Sequence, residues 1–209
     1  MLDLPALIAA FTTLFVIIDP LGLTPLFVLL TQGMSDRQRR AIALRACLLA
    51  MALLLLFGLL GEAVLAFVGI SMPAFRIAGG VLLFLTALDM LFERRTQRRE
   101  EQAEERPDPS VFPLALPLLA GPGAIATMIL LTGQNEGNLP MTIAVFVVMG
   151  AILALTFVLF LTAGFIERAL GKVGINVVTR LLGMLLAALS VQFILDGLAS
   201  FGLASGLAG

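Results

Sequence analysis

Asp19-Pro20-Leu21-Gly22 interrupts an apolar segment that runs from Leu4 to Leu30. The segment is long enough to cross a bilayer, which takes about 20 apolar residues. Inside it sit a carboxylate, two prolines (Pro20 and Pro25) and a glycine. Pro20 removes a backbone donor and crowds the preceding turn. Gly22 admits backbone angles that other residues resist. Together they are expected to unwind the helix near mid-depth. Unwound backbone in hydrocarbon survives only where protein or water covers it, and an ionisable group at that depth marks a functional site by default. Taken alone, the stretch reads equally well as a proline kink with Asp19 capping its second half. The rest of the chain tips the balance, because it repeats the feature.

The 209 residues are 60% hydrophobic and 13% charged, the balance of a polytopic membrane protein. A net charge of −1 gives no sign of a nucleic-acid partner; the expected partners are the lipid bilayer and a small solute. The absence of histidine excludes a histidine proton relay, a Ser-His pair and histidine metal sites. Cys47, the single cysteine, cannot form an internal disulfide. With no Trp or Tyr, the usual interfacial belt is missing, and any aromatic contact to a ligand falls to phenylalanine. Met1-Leu2-Asp3-Leu4-Pro5 lacks the basic start of a signal peptide, so the first apolar segment is read as a mature spanning helix.

Six apolar segments follow one another: Leu4–Leu30, Ala41–Val68, Pro73–Phe92, Val111–Thr132, Met141–Ile166 and Gly174–Leu198. The long polar stretch from Glu93 to Ser110, rich in Arg, Glu, Gln and Pro, reads as a solvated linker. It divides the chain into a first half (1–92), a linker (93–110) and a second half (111–209). Arg37, Arg39, Arg40 and Arg45 flank the first connection. Arg94, Arg95, Arg98, Arg99 and Arg106 fill the third, and Arg168 and Lys172 the fifth. The second and fourth connections carry no Lys or Arg. Positive residues stay cytoplasmic, which puts both termini outside the cytoplasm in a multi-pass cell-membrane protein. Arg76 is the exception on the outer side.

The halves match each other. Gly22 to Thr31 reads GLTPLFVLLT, and Gly123 to Thr132 reads GAIATMILLT; each follows a proline-containing break, the second being Ala120-Gly121-Pro122. Glu62 to Ser71 (EAVLAFVGIS) matches Glu167 to Asn176 (ERALGKVGIN). Arg76 to Thr86 (RIAGGVLLFLT) matches Arg180 to Ser190 (RLLGMLLAALS). Three matches in the same order at nearly one offset point to an internal repeat. Each copy holds three spans, so the two cross the membrane in opposite senses. The expected fold is therefore an all-α membrane protein of six transmembrane helices in two inverted three-helix repeats, with helices one and four broken at mid-membrane. That is the plan of many secondary transporters, and it gives Arg76 a counterpart in Arg180.

The chain resembles the MarC family of six-helix bacterial and archaeal membrane proteins, which includes the SnatA neutral amino-acid transporters. The motifs that carry the likeness are DPLGLTPLF (Asp19–Phe27), FVGISMPAFRIAGGVLLFLTAL (Phe67–Leu88), LAGPGAIATMILL (Leu119–Leu131) and TRLLGMLLAALSVQFILDGL (Thr179–Leu198). They cover essentially the whole chain. Leu23-Thr24 departs from the more polar Asn-hydrophobic pair expected there. The resemblance implies amino-acid transport, with glycine and alanine as substrates.

The residues themselves suggest how. Half-helices starting near Gly22 and Gly123 would aim their N-termini at the gap, and free N–H groups with the helix dipole suit a carboxylate. Asp19, Thr24, Thr127 and unwound carbonyls could receive an ammonium group, between loops kept open by Gly22, Gly121 and Gly123. Glu62 and Arg76 flank the outer turn at matched depth, and Glu167 and Arg180 repeat the pair inside. Each pair reads either as a gate or as a static fastener. Asp89 and Asp196 read as interfacial and solvated. No catalytic residue, metal or cofactor is expected. A proton carried by Asp19 and sodium held by carbonyls are both open as coupling ions, and oligomeric state is unread. The competing functions are a channel or drug exporter on the same fold, and an intramembrane enzyme using Asp19 and Glu62.

Overall fold

A computed structural model describes residues 3–92, 109–135 and 137–201. The side chains of residues 167 and 172 and nearly all of the 93–110 linker lie outside the described residues, so the Glu167–Arg180 pair and the linker reading do too. Among the described residues, eight helical segments follow in order: α1 (Leu4–Ile18), α2 (Pro20–Leu30), α3 (Asp36–Val68), α4 (Met72–Leu91), α5 (Ser110–Leu119), α6 (Pro122–Gly133), α7 (Leu139–Leu161) and α8 (Ala163–Ser200). No strand occurs among the described residues.

Local chemistry sets the helix ends. The Asp3 carboxylate caps α1 by accepting from the Ala6 N–H, with Pro5 in the first turn, where its missing donor costs nothing. Ser35 and Gln38 form a reciprocal capping box, each side chain accepting from the other's N–H at 3.4 and 2.9 Å. That box starts α3 at Asp36, five residues before the apolar run at Ala41, so Arg37, Arg39 and Arg40 become its first turn rather than a loop. Gly69, at φ 79°, closes α3 in the left-handed conformation. Ser71 caps α4 through the Ala74 N–H, and Asn138 caps α7 through the Met141 N–H. In α8, Gly171 sits at φ 64° and ψ 170°, separating a short leading piece from the spanning part, Val173–Ser200.

Among the described residues, five stretches are long and apolar enough to cross a membrane: Leu4–Leu30, α3, α4, α7 and Val173–Ser200. A sixth is α5 with α6, which meet at 52°. The outside of the bundle is apolar, as lipid demands: Phe67, Val173 and Phe165 are 92%, 77% and 70% exposed. The small and polar residues are inside. Every residue of α6 from Gly123 to Thr132 except Ile125 is buried, and α6 touches α1, α3, α4 and α7.

The longest contact runs between α4 and α8. They lie antiparallel, held close by glycine. A β-carbon built on Gly80 would lie 2.8 Å from the Ser190 carbonyl oxygen, and one on Gly183 would lie 2.9 Å from Met90 Cβ. Lipid tails are as apolar as leucine, so helices in a bilayer associate through such close packing rather than through the hydrophobic effect.

Candidate functional site

Two interruptions bound the middle of the bundle, and they are built differently. The first is one residue deep. Asp19 is fully buried and sits at φ 53°, ψ 60°, a left-handed conformation that Asp tolerates better than most residues. Its N–H still donates to the Phe15 carbonyl at 2.9 Å, and its own carbonyl still accepts from the Leu23 N–H at 3.1 Å. The expected unwound loop is therefore a single hinge residue, because helical pairing resumes at once on either side. The Asp19 carboxylate accepts from the Gly22 N–H at 3.1 Å, so it fills the N-terminus of α2. A β-carbon on Gly22 would lie 2.1 Å from that carboxylate; glycine is needed there for the cap. The Thr24 hydroxyl donates to the Leu21 carbonyl.

The second interruption is wider. Phe112 and Leu116 are extended, at φ −133° and −123°. Each precedes a proline, which drives its neighbour out of the helical region. The backbone answers with wide i→i−5 bonds, Leu114 N–H to Pro109 O and Ala120 N–H to Ala115 O, at 3.2 and 2.9 Å. Gly121 then turns the chain: a β-carbon there would lie 2.3 Å from the Pro117 carbonyl oxygen. Pro122 opens α6, and no side chain caps it. The two half-helices thus differ in what matters for an anion. The start of α2 is capped by the Asp19 side chain, whereas α6 has no side-chain cap.

A cavity of about 240 Å³ lies at that uncapped end, lined by Ile17, Thr86, Asp89, Pro117 and Gly121–Ala124 among others. Of the residues singled out by sequence, Gly121 and Gly123 line it; Asp19, Gly22, Thr24 and Thr127 do not. A β-carbon on Gly123 would meet Leu83, Ile17 and Thr86 at 3.3, 3.5 and 3.9 Å, so this glycine keeps open space rather than avoiding a clash. Thr86 and Asp89 also line it, and neither is among the substrate-binding residues expected from sequence. The signal was their spacing of three on α4, which places both on one face. Asp89 had been read as a solvated interfacial group.

Thr127 stands apart in another way. Most buried threonines in this bundle return their hydroxyl to the preceding turn; Thr127 and Thr179 do not. Thr31 donates to Phe27 O at 2.7 Å, Thr132 to Met128 O at 2.9 Å, and Thr156 to Ile152 O at 2.8 Å. Thr127 is fully buried, yet its hydroxyl has no hydrogen-bond partner, a state that costs free energy unless something polar arrives.

Among the charged residues, Arg76 is half-buried on α4 and its Nε is buried with no hydrogen-bond partner. Glu62 on α3 faces the end of α6, its Oε2 4.0 Å from a β-carbon built on Gly133. Arg180 is exposed on α8. Sequence reasoning also passed over a stack at the end of α2. Phe27 lies parallel to Phe160 at 4.5 Å between ring centres, and the Arg39 guanidinium sits 5.8 Å from the Phe27 ring centre. It joins α2, α3 and α7 through a cation–π contact.

An apolar exterior, six candidate spans and a polar cavity against a discontinuous helix define an integral, multi-pass helical membrane protein. Residues 4–201 match the MarC family of integral membrane proteins. The chain is 37% identical over 202 residues to a UPF0056 membrane protein of Methanocaldococcus jannaschii, covering 94% of this chain and 98% of that one. It is 39% identical to a UPF0056 membrane protein of Archaeoglobus fulgidus, over 91% of each chain. It is 35% identical to the inner membrane protein YhgN of Escherichia coli, over 92% of this chain and 95% of that one. No solved structure matches. The chain belongs to the MarC family.

Proposed function

We propose that this protein is a secondary transporter of small neutral amino acids, glycine and alanine first, rather than an enzyme. The observation that carries the reading is the cavity at the uncapped start of α6, with a carboxylate on its wall. A zwitterion needs a partial positive charge for its carboxylate and a negative one for its ammonium. The first-turn N–H groups of α6 supply the one, worth up to about 2 kcal/mol in a partly buried setting; Asp89 with the Thr86 hydroxyl supplies the other. Gly121 and Gly123 leave room for a substrate with almost no side chain. Asp19, Gly22 and Thr24 act by holding the α1–α2 hinge beside that site.

The inverted repeat supports alternating access. Pro20 and Pro122 each open the second half-helix of their repeat, and Thr31 and Thr132 close it with the same back-bond. Across α4 and α8, Gly183 meets Met90 while Gly80 meets Ile194, a near-reciprocal pair as a two-fold axis in the membrane plane requires. With the arginine-rich connections in the cytoplasm, both termini lie outside. The Glu62, Arg76, Glu167 and Arg180 charges then lie toward opposite ends of the bundle, as gates or fasteners. No cofactor takes part, and the coupling ion is a proton or sodium.

The test is counterflow. Proteoliposomes preloaded with unlabelled glycine should accumulate labelled glycine and alanine, with saturation, and imposed proton or sodium gradients should identify the coupling ion. Unsaturable flux would make the protein a channel, and absence of any amino-acid flux would sink the reading.

A further inference from the structure

A second cavity, also about 240 Å³, lies among α1, α6, α7 and α8. Its wall is alanine on one side (Ala6, Ala10) and polar on the other (Gln134, Asn135, Gln192, Asp196). Gln192 donates to Asp196 at 2.7 Å, and Asn135 donates one amide hydrogen to the Leu131 carbonyl at 2.7 Å, leaving donors and a carboxylate lone pair for a solute. This cavity sits at the end of the bundle where α1 begins. The site cavity sits beyond it along the same helices: α1 gives Thr13 to the first and Ile17, one turn on, to the second. On α6, Ala124 lines one and Leu131 the other, roughly 10 Å apart along the axis. Gly123, Thr127, Leu131 and Gln134 share one face of that helix. The residue between the two cavities on this face is Thr127, a buried threonine whose hydroxyl is unpartnered.

We propose that the two cavities are the halves of one substrate path along this face of α6. Its neck lies between Ile17 and Thr13 on α1 and at Thr127 on α6, and the Thr127 hydroxyl is the polar partner the solute meets there. The cavity where α1 begins is then a second binding site for the same small zwitterion, with Asp196 and Gln192 facing its ammonium and the Gln134 and Asn135 amides its carboxylate. This inference rests on the transport reading for the identity of the solute, but not for the existence of the path. An unsatisfied hydroxyl in a dry neck is a standing cost that hydrogen bonding to a passing polar group removes, which gives Thr127 a reason not to back-bond as its neighbours do.

Single cysteines in a Cys47→Ala background test it in sealed vesicles of both orientations. An impermeant thiol reagent should label Ala10→Cys from the side where α1 begins and Thr86→Cys only from the other. Thr127→Cys should react with a small hydrophilic reagent at least about tenfold faster than Ile129→Cys, which faces α3 from the opposite side of α6. A Thr127→Cys as inert as Ile129→Cys, in gel-filtration-normal protein, overturns the path, and so does labelling of Ala10→Cys and Thr86→Cys from the same side. Glycine or alanine should slow labelling at both Ala10→Cys and Thr127→Cys. Labelling that follows the expected sides and rates but ignores amino acids would uphold the path and overturn amino acids as its solute.

Discussion

At the scale of single residues, Asp19 and Gly123 do opposite jobs on matching half-helices. Asp19 holds a left-handed hinge and caps α2 through Gly22. Asn is also at home in that conformation and caps as well, so Asp19→Asn should melt within a few degrees of the parent. Asp19→Ala loses the cap, about 1 kcal/mol, and with it the local side-chain hydrogen bond that helps Asp tolerate the left-handed region. Thermal unfolding in detergent should rank the parent and Asn together above Ala; equal losses in both variants would mean that Asp19 acts through its charge. The glycines at the second break should part company too. Gly121→Ala drives a β-carbon into the Pro117 carbonyl and should lower folded yield. Gly123→Ala meets its neighbours at ordinary contact or slightly closer. It should fold normally and weaken glycine binding by about tenfold or more, since about 1.4 kcal/mol of lost fit is enough for that. Calorimetry on monodisperse protein reads the difference, and parent-like binding by Gly123→Ala would remove the site from the start of α6.

At the scale of elements, the α4–α8 pair is the frame against which the discontinuous helices are set. Its closeness depends on Gly80, Gly183 and Gly197, each of which would put a β-carbon within 2.6–2.9 Å of the facing helix. Gly79 differs: its β-carbon would meet only Leu130 Cδ1, at 3.1 Å, and Ala126 Cβ, at 3.8 Å, and the nearer of these is the end of a flexible side chain. Gly80→Leu and Gly183→Leu should therefore cut monodisperse yield sharply, by the several kcal/mol that overpacking can cost, while Gly79→Ala should pass. Gel filtration of the three variants separates the outcomes; equal tolerance would show that α4 and α8 do not pack this closely in the bilayer.

At the scale of the whole molecule, the proposed orientation follows from where arginine collects. Asn138→Cys, at the start of α7, should react with an impermeant reagent from outside the cell. Ser35→Cys, at the start of α3, should react only from the cytoplasm. The reverse pattern would invert the protein and with it the sidedness of both cavities. Each half alone leaves α6 uncovered, since its neighbours come from both halves: α1, α3 and α4 from one, α7 from the other. Polar cavities of this kind cannot exist in lipid until both halves enclose them.

Membrane class, the apolar segments and the two proline-containing interruptions were legible in the sequence, because the bilayer fixes segment length and proline and glycine act on their own neighbours. The likeness between the strings that begin at Gly22 and Gly123 was legible for the same reason. The capping box that starts α3 at Asp36 was also local, and was passed over only because hydropathy begins at Ala41. What tertiary structure alone decided is which half-helix carries a side-chain cap. Both were expected to present N–H groups to a solute, but the Asp19 side chain folds back on α2 while nothing equivalent stands before α6. The surroundings of Thr86, Asp89 and Thr127 were decided the same way. A polar side chain on an apolar helix can face lipid headgroup, a neighbouring carbonyl or a cavity, and the sequence of its own helix does not distinguish these. The choice is made by the helices that pack around it.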